Sequence, residues 1–372
     1  MTHSARLVDL VSERLASFVD DRASILSAMG PDLSPFIEYS RSFLSGGKRF
    51  RALFAYWGYR AIADAHRVDA PFDSEADDDL DVIVGVAAAL ELFHAAALVH
   101  DDIIDSSDTR RGQPAAHIRF RNAHRELEFR GNSDSFGRSA GILFGDLLLS
   151  WSDELLDESL SRHHDRAAAR MARYEFNLMR TEVTAGQYLD VLEEHAWNTV
   201  SDTELRVRAE RVALYKSAKY SIEAPLLIGA VVAGATAQEH HTLSSYGRPL
   251  GMAFQLRDDL LGVFGNPEVT GKPAGDDLIE GKRTILIAMA RERLQPGARQ
   301  LLDELLGDRS LTEEQVSMLQ RTIIDSGAEL ELEQLIADYV ATSLAALEAG
   351  SLGQAAAQEL RRLAESVTNR AH

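Results

Sequence analysis

The chain has 372 residues, no cysteine and a formal net charge of −19 at pH 7. The absence of cysteine excludes disulfide bonds, thiolate metal sites and cysteine nucleophiles. Nucleic acid and anionic membranes are poor partners for so acidic a chain, because like charges repel. With 45% hydrophobic and 26% charged residues, the composition is typical of a globular protein with a large core.

Helical periodicity recurs from end to end, beginning with an acidic amphipathic segment in the first twenty residues that is neither a signal nor a transit peptide. No stretch alternates apolar and polar residues for long enough to predict a sheet. The longest uncharged run, Ala224–Gln238, is shorter than a membrane span. We therefore predict an all-α, cytoplasmic protein without a transmembrane segment, folded as one large helical domain over residues 1–372.

The first motif with chemical content is GGKRFR at Gly46–Arg51, which precedes an apolar segment predicted to be helical. Glycines allow backbone amides to approach an anion, and a helix N-terminus adds a favourable dipole. A glycine turn before a basic helix is common by itself. In so acidic a chain, however, this concentration of cations favours a phosphate site.

The chain is organised around Glu91–Gly112, which reads ELFHAAALVHDDIIDSSDTRRG. In a helix, positions 94, 98, 101 and 105 share one face. Asp101 and Asp105 therefore point the same way, about 6 Å apart along the axis. Two carboxylates at this spacing suit Mg²⁺, which usually takes its remaining ligands from water and substrate phosphates.

A solvated helix end is the ordinary explanation for such aspartates. Here they follow a long apolar run and oppose the negative end of the helix dipole, which favours a metal site instead. Arg110 and Arg111 follow directly and would hold the same phosphates. The acidic segment Asp73–Asp81 and the segment Gly131–Ser135 are predicted to be loops without chemistry.

A second apolar helix runs into paired aspartates at Gly251–Gly265, which reads GMAFQLRDDLLGVFG. Clusters at Thr184–Asp190 (TAGQYLD) and Tyr215–Ser221 (YKSAKYS) precede it, and the glycine-rich loop Gly271–Thr284 follows. A lone helical lysine or a glycine-rich loop is usually structural. The repeated junction of apolar helix and aspartates instead predicts two sets of metal ligands across a hydrophobic cavity. The predicted substrate is a diphosphate with an apolar tail, whose carbocation the dry cavity would shelter.

Together these motifs resemble the trans-isoprenyl diphosphate synthase family. GGKRxR, DDxxD with RRG, GQxxD, a Lys-Ser/Thr pair, FQxxDD and a following GK occur in the family's order between residues 46 and 284. The resemblance implies an all-α bundle around a central hydrophobic cavity, usually homodimeric. It also implies condensation of isopentenyl diphosphate with an allylic diphosphate by ionisation, condensation and elimination, with the released diphosphate taking the proton.

The resemblance also implies residue roles. Magnesium would be bound by Asp101, Asp105 and Asp258, with Asp102 and Asp259 in support. Isopentenyl diphosphate would be bound by Lys48, Arg51, His94 and Arg111. The allylic diphosphate would be bound by Arg110, Lys216, Ser217, Gln255 and Lys272, and the site would also be lined by Gln187 and Lys282. With the five aspartates, the predicted catalytic residues are Lys216 and Gln187.

Two positions depart from the family pattern. Gly262 stands where many members have a third aspartate, so metal binding is expected to persist but to be weaker. Ser217 replaces the commoner threonine and keeps the hydroxyl group.

Product length should be set by the floor of the cavity along the helix that carries Asp101. Ala96 and Ala97, about one turn before this aspartate, are too small to stop a growing chain, and Phe93 lies a turn further down. This predicts geranylgeranyl diphosphate as the main product. In the alternative interpretation another helix, through Phe54 or Trp57, forms the floor.

Two other functions remain open at this point. A class I terpene cyclase shares the first aspartate motif but binds only one diphosphate. The phosphate site predicted at GGKRFR would then have no ligand. A non-catalytic subunit of a heteromeric prenyltransferase would be expected to lose metal ligands, whereas this chain retains both sets.

Overall fold

The computed structural model describes residues 3–66, 77–110, 112–266 and 275–368, and these are almost entirely helical. The predicted all-α fold is confirmed. The helices are α1 (His3–Met29), α2 (Ser34–Leu44), α3 (Phe50–His66), α4 (Asp77–Ile104), α5 (Ala116–Glu126), α6 (Ser133–Ser161), α7 (Arg166–Ala196), α8 (Asp202–Val212), α9 (Ala224–Val232), α10 (Ala237–Phe264), α11 (Asp276–Glu280), α12 (Ile285–Arg293), α13 (Pro296–Leu305), α14 (Glu313–Asp325), α15 (Ala328–Ala349) and α16 (Gln354–Thr368).

Three kinds of irregular element connect these helices. Short 3₁₀ turns lie at Pro31–Leu33 and Trp197–Thr199, and a π-helix covers Ala213–Glu223. Strands β1 (Thr109–Arg110) and β2 (Gln113–Pro114) pair antiparallel in a small hairpin. The sequence analysis predicted neither the π-helix nor the hairpin, because both depend on backbone pairing that hydrophobic periodicity does not encode.

One compact unit comprises Met1–Arg173 and Ile228–Gly234. In it, α4 packs against α6, α3 and α1. The stretch Asp79–Ile104 is long and apolar enough to cross a membrane by length and composition, but 83% of its most apolar window is buried inside the structure. α4 is therefore the core helix of this unit.

The other compact unit comprises Tyr174–Leu227 and Ala235–His372. Here α10 packs against the π-helix and α15. α10 begins with a capping box, in which the Thr236 hydroxyl accepts from the amide of Glu239 and the Glu239 carboxylate accepts from the amide of Thr236. That the whole chain acts as one domain stays a prediction.

Candidate active site

α4 presents an accessible stripe toward its C-terminal end. Between residues 82 and 99 its side chains are buried except at positions 94, 97 and 98, and position 101 continues the stripe. The spacing i, i+3, i+4 and i+7 places these positions on one helix face. This is the face on which the sequence placed His94 and Asp101. Ala97 belongs to the stripe, whereas Ala96 and Phe93 are buried at 0% and 4% exposure.

The helix ends in a way that keeps Asp105 on the same side. α4 stops at Ile104, but the amide of Asp105 still donates to the carbonyl of Asp101 at 2.8 Å, as in a further helical turn. Ser106 then takes a positive φ of 55°, which ends the helix. Asp105 and Asp101 are both partly exposed.

Arg110, in strand β1, is anchored on the first aspartate cluster. Its Nε donates to Asp102 Oδ1 at 2.9 Å, and its Nη2 donates to the same oxygen. Nη2 also lies 3.8 Å from Asp101 Oδ2. Asp102 is fully buried, so the guanidinium neutralises a carboxylate that water cannot reach. Asp101 keeps 23% of its side chain exposed and is the accessible member of the pair. Arg111 lies outside the described residues.

The GGKRFR segment begins as a loop and ends in the first residues of α3, and its three cations differ in exposure. Gly46, Gly47 and Arg49 all have positive φ, and α3 begins only at Phe50. Arg49 turns inward and is 6% exposed, whereas Lys48 is exposed and Arg51 is half-buried. Only Lys48 and Arg51 therefore remain accessible enough to meet a substrate.

Glu91 explains why Arg49 turns inward. Its Oε2 lies 3.4 Å from Arg49 Nη1, and its Oε1 accepts from the backbone amide of Ala52 at 3.2 Å. The carboxylate thus accepts from one amide in the first turn of α3, the helix end at which the sequence analysis placed a substrate phosphate. Sequence reasoning missed this role, although a lone carboxylate within the apolar run of α4 was the signal for it.

The second aspartate pair lies near the end of α10. Asp258 is exposed, whereas Asp259 is 4% exposed and accepts from Gln255 Nε2 at 2.7 Å. Burial raises the pKa of Asp259 well above its ordinary value, and the neighbouring carboxylates of Asp277 and Asp258 raise it further. In each pair, therefore, the first aspartate is accessible, and the second is buried and accepts a hydrogen bond from a neighbouring side chain.

Two glycines of the quoted motifs bring the π-helix close to its neighbours. A Cβ at Gly186 of α7 would lie 2.3 Å from the backbone nitrogen of Lys216, and one at Gly251 of α10 would lie 2.3 Å from the carbonyl oxygen of Ala218. Any side chain there would push the helices apart. The two glycines therefore allow the π-helix to pack closely against α7 and α10. In this packing Lys216 and the neighbouring Ser217 are both half-buried.

Asp190 anchors two lysines. Its Oδ2 accepts from Lys216 Nζ and lies 3.4 Å from Lys282 Nζ, which also lies 3.0 Å from Glu194 Oε1. Asp190 and Lys282 are both 8% exposed. Gln187, three residues before Asp190 on α7, is half-buried. Sequence reasoning quoted the motif that contains Asp190 but gave this carboxylate no role. Lys272 lies outside the described residues.

The residues present suit a magnesium ion. In the first unit Asp101 and Asp105, and in the second unit Asp258, present accessible carboxylates, the hard oxygen donors that Mg²⁺ prefers. Their buried neighbours are fixed by Arg110 and Gln255, so the accessible aspartates project from ordered surroundings.

A third group of potential ligands lies elsewhere in the first unit. Asp79, His163 and His164 bring three donor atoms within 4.8 Å of one another beside a cavity of about 210 Å³. However, His163 Nδ1 accepts from the amide of Asp165 at 3.0 Å, and Nε2 donates to the carbonyl of Val232 at 2.9 Å. A metal ion bound to His163 would have to break one of these two hydrogen bonds. We therefore assign no metal ion to Asp79, His163 and His164.

The chain is similar to known proteins over most of its length. Residues 34–323 match the family model of polyprenyl synthetase. The geranylfarnesyl diphosphate synthase of Aeropyrum pernix is 32% identical over 285 residues, covering 76% of this chain and 77% of that one. The geranylgeranyl diphosphate synthase of Methanosarcina mazei is 30% identical over 298 residues, covering 80% and 78%.

A solved structure gives a closer likeness. It is a geranylgeranyl pyrophosphate synthase from Corynebacterium glutamicum, complexed with isoprenyl diphosphate and magnesium. It is 38% identical, has a TM-score of 0.89 and aligns over 98% of this chain and 99% of that one. With both aspartate pairs and the cationic segments present, the chain belongs to the polyprenyl synthetase family of trans-prenyltransferases.

Proposed function

We propose that this enzyme uses magnesium to condense isopentenyl diphosphate with an allylic diphosphate, and that its main product is geranylgeranyl diphosphate. Dimethylallyl, geranyl and farnesyl diphosphate are the proposed primers. The observation that carries the proposal is the repeated arrangement of an accessible aspartate beside a buried, held one, at Asp101–Asp102 and at Asp258–Asp259. Two such clusters suit a reaction in which a diphosphate departs.

The proposed ligand roles are those that the family resemblance implies. Asp101, Asp105 and Asp258 would hold magnesium. Isopentenyl diphosphate is assigned to Lys48, Arg51, His94 and Arg111. The allylic diphosphate is assigned to Arg110, Lys216, Ser217, Gln255 and Lys272, with Gln187 and Lys282 lining the site. Gln255 and Arg110 would act chiefly by holding Asp259 and Asp102, to which they are bonded.

The reaction needs charge neutralisation, alignment and a dry surface. Bound magnesium would supply the Lewis-acid charge that favours departure of diphosphate. Lys216 and Arg110 would add fixed positive charge where the leaving group gains negative charge. Lys48 and Arg51 would hold isopentenyl diphosphate so that its alkene faces the carbon from which diphosphate departs.

Prenyl transfer breaks one bond to the leaving diphosphate, forms one carbon–carbon bond and releases one proton. The allylic carbon–oxygen bond breaks, a carbon–carbon bond forms from the alkene, and a proton leaves the carbon next to the new cation. We assign the proton to the released diphosphate. The mostly buried apolar side chains of α4 would keep water away from the cation.

The proposed product length depends on α4. Ala97 is accessible on the stripe below Asp101, whereas Phe93, about two turns below that aspartate, is buried. A prenyl chain would pass Ala97 and stop near Phe93. Of the two alanines, burial favours Ala97 over Ala96 as the position that a chain contacts. We further propose a homodimeric, cytoplasmic enzyme.

The decisive experiment supplies the purified chain with isopentenyl diphosphate, Mg²⁺ and each allylic primer in turn. Products are dephosphorylated and separated by chromatography. We expect geranylgeraniol from all three primers. A cyclic hydrocarbon from one diphosphate alone would instead identify a terpene cyclase. Turnover only after addition of a partner chain would identify a subunit of a heteromeric enzyme.

A further inference from the structure

Arg283, which directly follows Lys282, lies on an aromatic ring. Its guanidinium carbon is 3.8 Å from the centroid of the Trp197 ring. Within the part of the chain that the structure describes, its Nε and Nη1 are buried and make no hydrogen bond. Nη1 lies 3.6 Å from Asp303 Oδ1, but Arg291 already donates to both oxygens of that carboxylate, at 2.7 and 2.8 Å. The face of the Trp197 ring is therefore a main contact of this guanidinium, since aromatic faces attract cations.

The Arg283 side chain is shielded from water. It is only 11% exposed, and burial lowers the pKa of its guanidinium to about 10. The group is nevertheless charged at neutral pH. A cation on an aromatic face is attracted more strongly when it is desolvated, so loss of the ring should loosen this side chain.

Lys282 and Arg283 lie along the same side of the end of α7. Lys282 Nζ lies 3.4 Å from Asp190 Oδ2 and 3.0 Å from Glu194 Oε1, and Trp197 directly follows the helix. Positions 190, 194 and 197 are spaced i, i+4 and i+7, so they share one face. Two consecutive side chains thus fasten the segment between α11 and α12 to α7.

The two contacts differ in how a bound phosphate would affect them. A phosphate competes with the carboxylates for the ammonium group of Lys282, because both are anions that attract the same cation. The ring of Trp197 carries no net charge and takes no part in this competition. We propose that the Arg283–Trp197 stack is a positioning contact, which keeps Lys282 beside the diphosphate of the allylic substrate while its ammonium group exchanges carboxylate for phosphate. This inference rests on the function proposed above.

Substitution of Trp197 removes the stack without changing any charge. In Trp197→Leu we expect the KM for the allylic diphosphate to rise about tenfold, while the KM for isopentenyl diphosphate stays near that of the parent. Trp197→Phe keeps an aromatic face and should retain most of the parent affinity. The exposed neighbour Asn198→Ala is the matched control and should behave like the parent. Isothermal titration calorimetry with inorganic diphosphate and Mg²⁺ measures the loss of affinity without turnover.

A double-mutant cycle separates positioning from a general loosening of the fold. Lys282→Met should itself weaken diphosphate binding. Trp197→Leu added to it should cost little more, because the ring acts through Lys282. Fully additive losses, or equal rises of both KM values in Trp197→Leu, overturn the positioning role and leave the proposed function standing.

Arg283 provides the other half of the test. Arg283→Met removes the cation and should reproduce the losses of Trp197→Leu. Arg293→Met, which removes an exposed arginine at the end of α12, is the control for long-range charge. A parent-like Arg283→Met, or an equal loss in Arg293→Met, overturns the role of the stack. A parent chain that makes no prenyl product overturns the proposed function, and the calorimetric cycle with inorganic diphosphate then still decides whether the stack positions Lys282.

Discussion

At the scale of single residues, buried polar side chains hold the surroundings of the accessible ones. Asp102 is held by Arg110, Asp259 by Gln255, and Arg49 by Glu91. A buried charge is costly unless it is paired or hydrogen-bonded, so each of these contacts fixes the geometry around it. In the proposed function, their accessible neighbours Asp101, Asp258 and Lys48 would meet magnesium or substrate.

Removal of the accessible aspartates should affect turnover more than binding. We expect Asp101→Ala and Asp258→Ala each to lower kcat about 10²–10³-fold, because each removes charge stabilisation that matters most in the transition state. Arg51→Ala should instead raise the KM for isopentenyl diphosphate. Steady-state kinetics at saturating Mg²⁺ separates these effects. Near-normal turnover in Asp101→Ala would contradict its assignment as a metal ligand.

Glu91 should matter for stability as well as for substrate binding. Glu91→Gln keeps an acceptor for the Ala52 amide but leaves the buried Arg49 cation without its carboxylate. We expect the free energy of unfolding to fall by about 3 kcal/mol and the KM for isopentenyl diphosphate to rise, because the loop that carries Lys48 loses its anchor. Urea denaturation and kinetics measure the two effects.

A double variant is the control for Glu91. Glu91→Leu with Arg49→Met removes both charges and should recover much of the lost stability. A loss of less than about 0.5 kcal/mol in Glu91→Gln, within the range of ordinary surface changes, would show that the pair does not hold the loop.

At the scale of elements, α4 should determine product length. Ala97→Phe places an aromatic ring on the accessible stripe, so products should shift toward farnesyl diphosphate. Phe93→Ala removes the proposed floor and should lengthen them. Product chromatography from a common primer measures both shifts, and Ala97→Ser, which changes little volume, is the control. If neither variant changes the products, the floor lies elsewhere, with Phe54 or Trp57 on α3 as the alternatives.

The contact between α7 and α10 should depend on pH. His240 Nε2 of α10 lies 3.3 Å from Glu175 Oε1 of α7, and this hydrogen bond raises the pKa of His240 above its ordinary value. A histidine with a raised pKa in the folded state stabilises the fold fully below about pH 6.5, its unfolded value. The contribution is lost as the pH rises through the raised value. Because the pair is partly exposed, it should be worth only about 0.5 kcal/mol.

Chemical denaturation at several pH values tests this. His240→Gln should lower the free energy of unfolding at pH 6 and have little effect at pH 9, where the parent histidine is neutral. The exposed neighbour His241→Gln is the matched control. An effect of His240→Gln that does not vary with pH would mean that packing, and not the charged pair, is what the histidine contributes.

At the scale of the whole molecule, the first unit leaves apolar side chains exposed just after α5 and on α6. They are Leu127, Phe129, Phe136, Ile142 and Leu143, each between 40% and 63% exposed. Exposed apolar groups of this kind commonly mark a protein interface. They support the proposed homodimer.

Analytical ultracentrifugation should therefore find a dimer, and Leu143→Lys should shift the population toward monomer. Leu330→Lys is the control, since Leu330 is also exposed, at 77%, but lies in the other unit. A parent chain that sediments as a monomer at micromolar concentration would contradict the proposed homodimer. Dissociation by Leu330→Lys would place the interface elsewhere.

The sequence by itself determined the all-α class and the stripe on α4. Helical periodicity is a local property, so spacing alone placed His94, Asp101 and Asp105 on one side, and burial in the folded chain agrees. The order of the motifs was likewise enough to identify the family before any geometry was known. Features carried by one helix or one short segment were therefore predictable.

Only the tertiary structure decided which charges serve the site and which hold it in place. Arg49 meets Glu91 across 42 residues of sequence, and Lys282 meets Asp190 across 92. A Cβ added at Gly262 of α10 would lie only 2.0 Å from the Asp277 carboxylate of α11. No local pattern encodes such pairs, because they form only when packing brings distant segments together and burial makes each unpaired charge too costly to leave alone.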